Sequence, residues 1–254
     1  LQLGTSGHKL TVAAGVLNLR DEADALTVRL NGASAVNPKD YVTLDQLTTL
    51  TIPPYDQTLI VDPSGDDGTG DGSIAKPYAT VEFAVSVAPA NTLILLYKGS
   101  YTIAGGTLNI AVDNIAIAGF NPKCKQHTVI IGDIQIVGGV TGFALLNVAV
   151  NGNVLDGGDG NTCIFGANLN GQIVQDGGAA GAGEIAESDI GAIVANSPAV
   201  GASLAVVNSN VLGAVTLSQA NHTLHLLDVS HTGAITHSAG TLVMDKVNSV
   251  EGLS

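Results

Sequence analysis

The chain has 254 residues, 45% of them hydrophobic, yet no Trp and only 4% aromatics, so any core is assembled from Val, Ile, Leu and Ala. Its 32 Gly lack the every-third-residue spacing of collagen and are too many for a helical bundle, which leaves turn-rich β structure. Nine basic against 22 acidic residues give a net charge of -13, and after Lys125 the one remaining Lys is Lys246, which argues against a phosphate-binding surface and nucleic acid as a partner. No apolar run approaches the ~18 residues of a membrane span, and no basic-then-apolar leader opens the sequence. The missing initiating Met suggests a fragment or processed product of a longer protein.

In chain order, residues 1–36 alternate apolar and polar in short pieces (Leu10, Val12; Leu17, Leu19; Leu26, Val28, Leu30), followed by Asn31-Gly32. This pattern predicts short strands and tight turns. Leu44, Leu47 and Leu50 then sit at helical spacing, and Pro53-Pro54 ends that short helix. The expected boundary divides an attachment or oligomerisation segment, 1–55, from a second domain, 56–254. A polar loop from Asp62 to Ser73 leads to Pro77, and Val81, Ala84, Val85 and Ala88 form one apolar face, predicting a helix near 77–88 with Pro89 as its stop. A strand over Thr92–Tyr97 follows.

The order Gly70-Asp71-Gly72-Ser73, Lys76-Pro77-Tyr78, Thr80, Ala84, Ala88, strand, Gly99, Tyr101 resembles the leading segment of pectin-lyase-like proteins, notably bacteriophage tailspikes and surface polysaccharide enzymes. The resemblance implies an all-β, single-stranded right-handed parallel β-helix whose open end this helix caps. It speaks to fold more than to activity. A shorter stretch, Asn37-Pro38-Lys39-Asp40-Tyr41-Val42 to Leu47, resembles the segment of phage tail and head fibres where a short helix follows a Tyr-Val pair. That resemblance implies a virion appendage, often trimeric, with the segment near the junction to the particle.

The second half of the chain carries a repeat that stands without any family. Gly132-Asp133-Ile134, Gly152-Asn153-Val154, Gly171-Gln172-Ile173, Gly191-Ala192-Ile193, Gly213-Ala214-Val215 and Gly233-Ala234-Ile235 recur, with a seventh Gly at 252, at intervals of 20, 19, 20, 22, 20 and 19 residues. Such a period is the mark of a solenoid. It stacks Ile134, Val154, Ile173, Ile193, Val215 and Ile235 as an inward row, each preceded by a Gly whose backbone freedom suits a corner. Leu204–Thr216 lies over Leu224–Thr236, and Asn151 over Asn170 and Asn208 over Asp228 are candidate side-chain ladders.

The chemistry-bearing residues all have a plainer reading beside the functional one. Asp156 and Asp176, one rung apart, are candidates for a glycosidase-like carboxylate pair, against turn residues in solvent. Glu184, Glu187 and Asp189 form a second acidic group, against a solvated edge. Asp62, Asp66, Asp67 and Asp71 supply oxygens for Ca²⁺, but lack the closing bidentate Glu of a calcium loop. His222, His225, His231 and His237 match no zinc spacing and read as solvent-facing or lumen-edge. Cys124 and Cys163, 39 residues apart, are nearly two rungs apart and beyond disulfide reach, so both read as buried free thiols. Gly177–Gly183 reads as a corner loop. No Arg follows Arg29 and no aromatic follows Phe165, which argues against lyase chemistry and against a sugar platform on the late rungs.

The expected protein is therefore a non-enzymatic phage fibre or spike on the virion surface. It would be homotrimeric and joined to other virion proteins through 1–55, with a structural role and contact to a host glycan or receptor, and no cofactor, metal or assigned catalytic residue. A depolymerase tailspike and a capsid-decorating head fibre are the alternatives.

Overall fold

The computed structural model describes residues 55–120, 128–176 and 182–249, together with the backbone strands Gln2–Leu3, His8–Ala13 and Val16–Arg20. By internal packing the chain divides into Leu1–Pro53 and Pro54–Ser254. In the first unit the three strands pair antiparallel, with Leu10 opposite Leu19 and Val12 opposite Leu17. The expected helix around Leu44–Leu50, the Leu26–Leu30 strand and Cys124 lie outside the described residues.

The second unit is a right-handed parallel β-helix. One sheet holds nine parallel strands: Gln57–Val61, Thr92–Leu96, Ile115–Gly119, Ala144–Leu146, Thr162–Phe165, Ala182–Ala186, Ser203–Val207, Thr223–Leu227 and Thr241–Asp245. Their β-branched and aliphatic residues alternate with the pleat, so one face of each strand turns inward. Leu59, Ile94, Ile117, Leu145, Ile164, Ile185, Val206, Leu226 and Met244 form one continuous row. All are buried except Met244, on the last strand, which is 41% exposed.

The second sheet is paired rung on rung, and it contains the predicted inward row. Ile134, Val154, Ile173, Ile193, Val215 and Ile235 are in register and buried, and the row extends back to Leu108. The glycines before them have a different cause from the one the sequence suggested. Among Gly132, Gly152, Gly171, Gly191, Gly213 and Gly233 only Gly132 has a positive φ, of 136°. At each of the later five, a Cβ would strike the carbonyl oxygen of the preceding rung's glycine. Close approach of stacked backbones therefore selects glycine.

At the corners flanking the first sheet, left-handed backbone is supplied mostly by polar residues, with Gly166, φ 63°, taking that place after Thr162–Phe165. Asn91, Asn114 and Asn161 precede strands of the first sheet, while Asn147, Glu187, Asn208, Asp228 and Lys246 follow them, all with φ between 46° and 60°. Asn and Asp tolerate this region better than other side chains. Asn208 and Asp228 do occupy the same corner, and Asn151 lies alongside Asn170 on exposed positions. The hydrogen-bonded ladder runs elsewhere: Asn153 N donates to Asp133 Oδ1 at 2.7 Å, and Gln172 N donates to Asn153 Oδ1 at 3.0 Å.

The first rung is closed by its own chain. Tyr78 N donates to Ile60 O at 3.0 Å and Asp62 N to Tyr78 O at 2.9 Å, so Pro77 and Tyr78 are extended. The helix consequently spans Val81–Val87 and not 77–88, starting at Thr80, whose side chain accepts from Phe83 N at 3.2 Å. Val81, Ala84 and Val85 are its buried face, as the spacing predicts.

Candidate functional site

The carboxylates of the polar loop are engaged in building it. Asp62 Oδ1 accepts from Ser64 N at 2.8 Å, Asp66 Oδ1 from Gly68 N at 2.7 Å, and Asp71 Oδ1 from Ser73 N at 3.0 Å. These are Asx turns. Hydrogen bonds from Gly68 and from Ser73 lead the causes that hold Asp66 and Asp71 below the ordinary aspartate range. Asp67 reaches furthest, accepting from Ala79 N at 2.8 Å, Thr80 N at 3.1 Å and Thr80 Oγ1 at 2.6 Å, and so fixes the residue that caps the helix. Among the described residues no three His, Cys, Asp or Glu side chains gather as a metal site.

Asp156 departs from its reading as a solvent turn. It is the inward residue of Val154–Asp156, 6% exposed, and its register partner is Gln175, not Asp176. Asp176 follows at the exposed corner, its N donating to Asp156 O at 3.1 Å. The Asp156 carboxyl is held above its ordinary value, first by burial. Thr162 and Gly158 hydrogen bonds oppose the rise, and Asp176 adds to it. One carboxyl inside the solenoid and one outside do not flank a common groove.

Glu184, Glu187 and Asp189 are divided between two concavities. Glu187 and Asp189 line a polar one of about 560 Å³ with Asn208, Asn210, Asp228 and Ser230. Glu184 lies on the outer face of the nine-stranded sheet, beside Cys163 and in the same outward row as Ala205 and His225, bordering a second concavity of about 500 Å³. Cys163 is exposed, contrary to the buried thiol expected, because its position alternates with inward Ile164. Protein bulk around it first, then the Glu184 carboxylate, push its thiol pKa up. That opposes thiolate formation, the condition for a nucleophile.

The histidines also separate. His225 faces outward and His237 is exposed, but His222 and His231 are buried, which overturns the solvent-facing alternative for both. His231 Nε2 lies 3.0 Å from Gly213 O. Burial depresses the His222 pKa, offset in part by the Ser197 backbone. Gly183, read as part of a corner loop, is an inward strand residue against Leu204, while 177–181 lie outside the described residues.

No protein-family model and no curated protein matches the chain. Among solved structures, the crystal structure of pectate lyase Pel9A is similar, with 13% identity and a TM-score of 0.44 over 71% of this chain and 54% of that one. A rhamnogalacturonan lyase is similar with 16% identity and a TM-score of 0.32 over 78% of this chain and 62% of that one. The likeness is one of fold. The chain thus spans between about half and two thirds of the length of these two lyases. The sequence signals missed at the site were the inward parity of Asp156, legible from Val154 two residues earlier, and the outward parity of Cys163.

Proposed function

We propose that this chain is a non-enzymatic bacteriophage virion appendage, a fibre or spike, in which the β-helix is a stiff shaft or tip carried by the 1–55 segment. One observation carries the non-enzymatic part: the carboxylates available for sugar chemistry are spent on the fold or set apart. Asp156 faces the core, Asp62, Asp66, Asp67 and Asp71 hold the cap loop, and Glu184 is separated from Glu187 and Asp189. The virion part rests on the resemblance of the segment Asn37–Leu47 to phage fibres and on the resemblance of residues 60–101 to the leading segment of tailspikes. Contact with a host receptor through hydrogen bonds, rather than a sugar ring stacked on an aromatic, is assigned to the polar concavity around Asn208, Asn210 and Asp228, where amide and carboxylate groups recur from rung to rung.

Two assays test this. Light scattering on the full chain is expected to give a homotrimer, and a strictly monomeric protein contradicts the appendage reading. Host capsule incubated with the protein is expected to release neither reducing ends nor unsaturated sugars. Release of either makes the protein a depolymerase.

A further inference from the structure

In the row that begins with Ile110 and Ile136, the next residues are Asp156 and Gln175, followed by Ala195 and Leu217. Asp156 is 6% and Gln175 5% exposed. Gln175 Nε2 faces the Ser203 carbonyl at 3.4 Å, which orients the amide and leaves Oε1 on the other side. That Oε1 is buried and has no hydrogen-bond partner. Its row neighbours are Asp156 and Ala195, and of these only Asp156 has polar side-chain atoms.

An ionised carboxylate only accepts hydrogen bonds, so it would set two more acceptors against a buried orphan acceptor. A neutral carboxyl has one O–H to give. The groups that serve Asp156 are uncharged donors, Gly158 N at 3.2 Å and the Thr162 hydroxyl. The charges nearby are all anionic or face away. Asp176 and Asp159 are exposed at the adjoining corners, and Cys163 and Glu184 point outward from the strands packed across the lumen. The described strands stacked on and facing Asp156, namely Thr128–Ile136, Thr162–Phe165, Asn168–Gln175 and Ala182–Ala186, contain no Lys, Arg or His.

We propose that Asp156 is held inside the solenoid as the neutral acid and donates its proton to Oε1 of Gln175, a buried latch joining two adjacent rungs. The folded carboxyl lies above the unfolded value of 3.8. The latch is therefore fully formed below that value and is lost as pH rises through the folded pKa, leaving a buried anion at the junction. The rung junction is a proton-sensitive point inside the solenoid.

Carboxyl ¹³C titration of the unmodified full chain is the direct test. Asp156 Cγ is expected to titrate above the ordinary aspartate range, and Gln175 Cδ is expected to shift with the same midpoint. An ordinary or lowered Asp156 midpoint, or a Gln175 carbonyl blind to it, overturns the latch. The Asp156→Asn variant keeps a donor that needs no proton. Its melting temperature is expected to hold as pH rises while that of the unsubstituted chain falls. Parallel curves overturn the proposal. Should the variant fail to fold, the titration of the unmodified chain still decides.

Discussion

Replacing Gly171 by Ala places one methyl group where two rungs touch. The new Cβ would strike the Gly152 carbonyl oxygen, and would stand 2.6 Å from both Asn153 Oδ1 and the Gly152 carbonyl carbon. Most of that obstacle is backbone, held in place by the ladder from Val154 to Ile173 to Ile193. It cannot swing aside as a side-chain tip would. Relief requires the rungs to part, which also stretches the Gln172 N to Asn153 Oδ1 bond of 3.0 Å. Overpacking a close-packed site costs ~1–3 kcal/mol, and the rigid obstacle puts Gly171→Ala near ~3 kcal/mol. At ~2–4 °C per kcal/mol for a domain of this size, the melting temperature falls by ~6–12 °C. Thermal unfolding followed by circular dichroism measures it. Gly138→Ala is the control, since its nearest neighbour would be Gly157 O at an ordinary 3.5 Å, and a change within ~0.5 kcal/mol is expected there. Equal shifts for the two variants would refute close approach as the reason for the glycine repeat.

Three further outcomes follow from the same structure. Leu145→Ala, fourth in the nine-residue row and fully buried, opens a cavity in a lumen walled by stacked strands, and denaturant titration should show a loss of ~2–5 kcal/mol. Asp67→Ala removes the acceptor for Ala79 N, Thr80 N and Thr80 Oγ1, and a loss of ~1–2 kcal/mol is expected, with earlier hydrogen exchange in the helix Val81–Val87. His222 is depressed below 6.5 by burial, so the unfolded chain takes up its proton first as pH falls. The stability it permits is complete above 6.5 and declines as pH drops toward the folded value, and His222→Leu should flatten that acid limb in melting curves.

Much of the fold was legible because a solenoid writes its period directly into the chain. Ile134 to Ile235 were readable as a row from spacing alone, and Leu204 over Leu224 is the observed register. The nine-stranded row from Leu59 to Met244 was not singled out, because no glycine marks it and its corners vary in length. Pro77 misled because proline suits a helix start, whereas the Val61 to Tyr78 bridge keeps it extended and moves the start to Thr80. At the candidate sites the errors share one cause. Asp156, Cys163, His222 and His231 were judged by residue type and neighbours in sequence, while pleat parity and corner position decide which way each points. Asp156 follows Val154, the inward residue of the Gly152 marker, by two positions, enough to read its parity once the register is known.

The central claim is a stack of rungs in register, and spacing along the nine-stranded sheet tests it most directly. Thr58, Cys163 and Val243 occupy the same outward row, on the first, fifth and ninth strands. Spin labels on Thr58→Cys and Val243→Cys, with Cys124 and Cys163 replaced by Ser, should lie eight strand spacings apart, ~38 Å at ~4.8 Å each. A label at Cys163 should divide that span into two distances of ~19 Å. Pulsed electron–electron distance measurements giving those values support the register; distances that do not grow with the number of intervening strands contradict it.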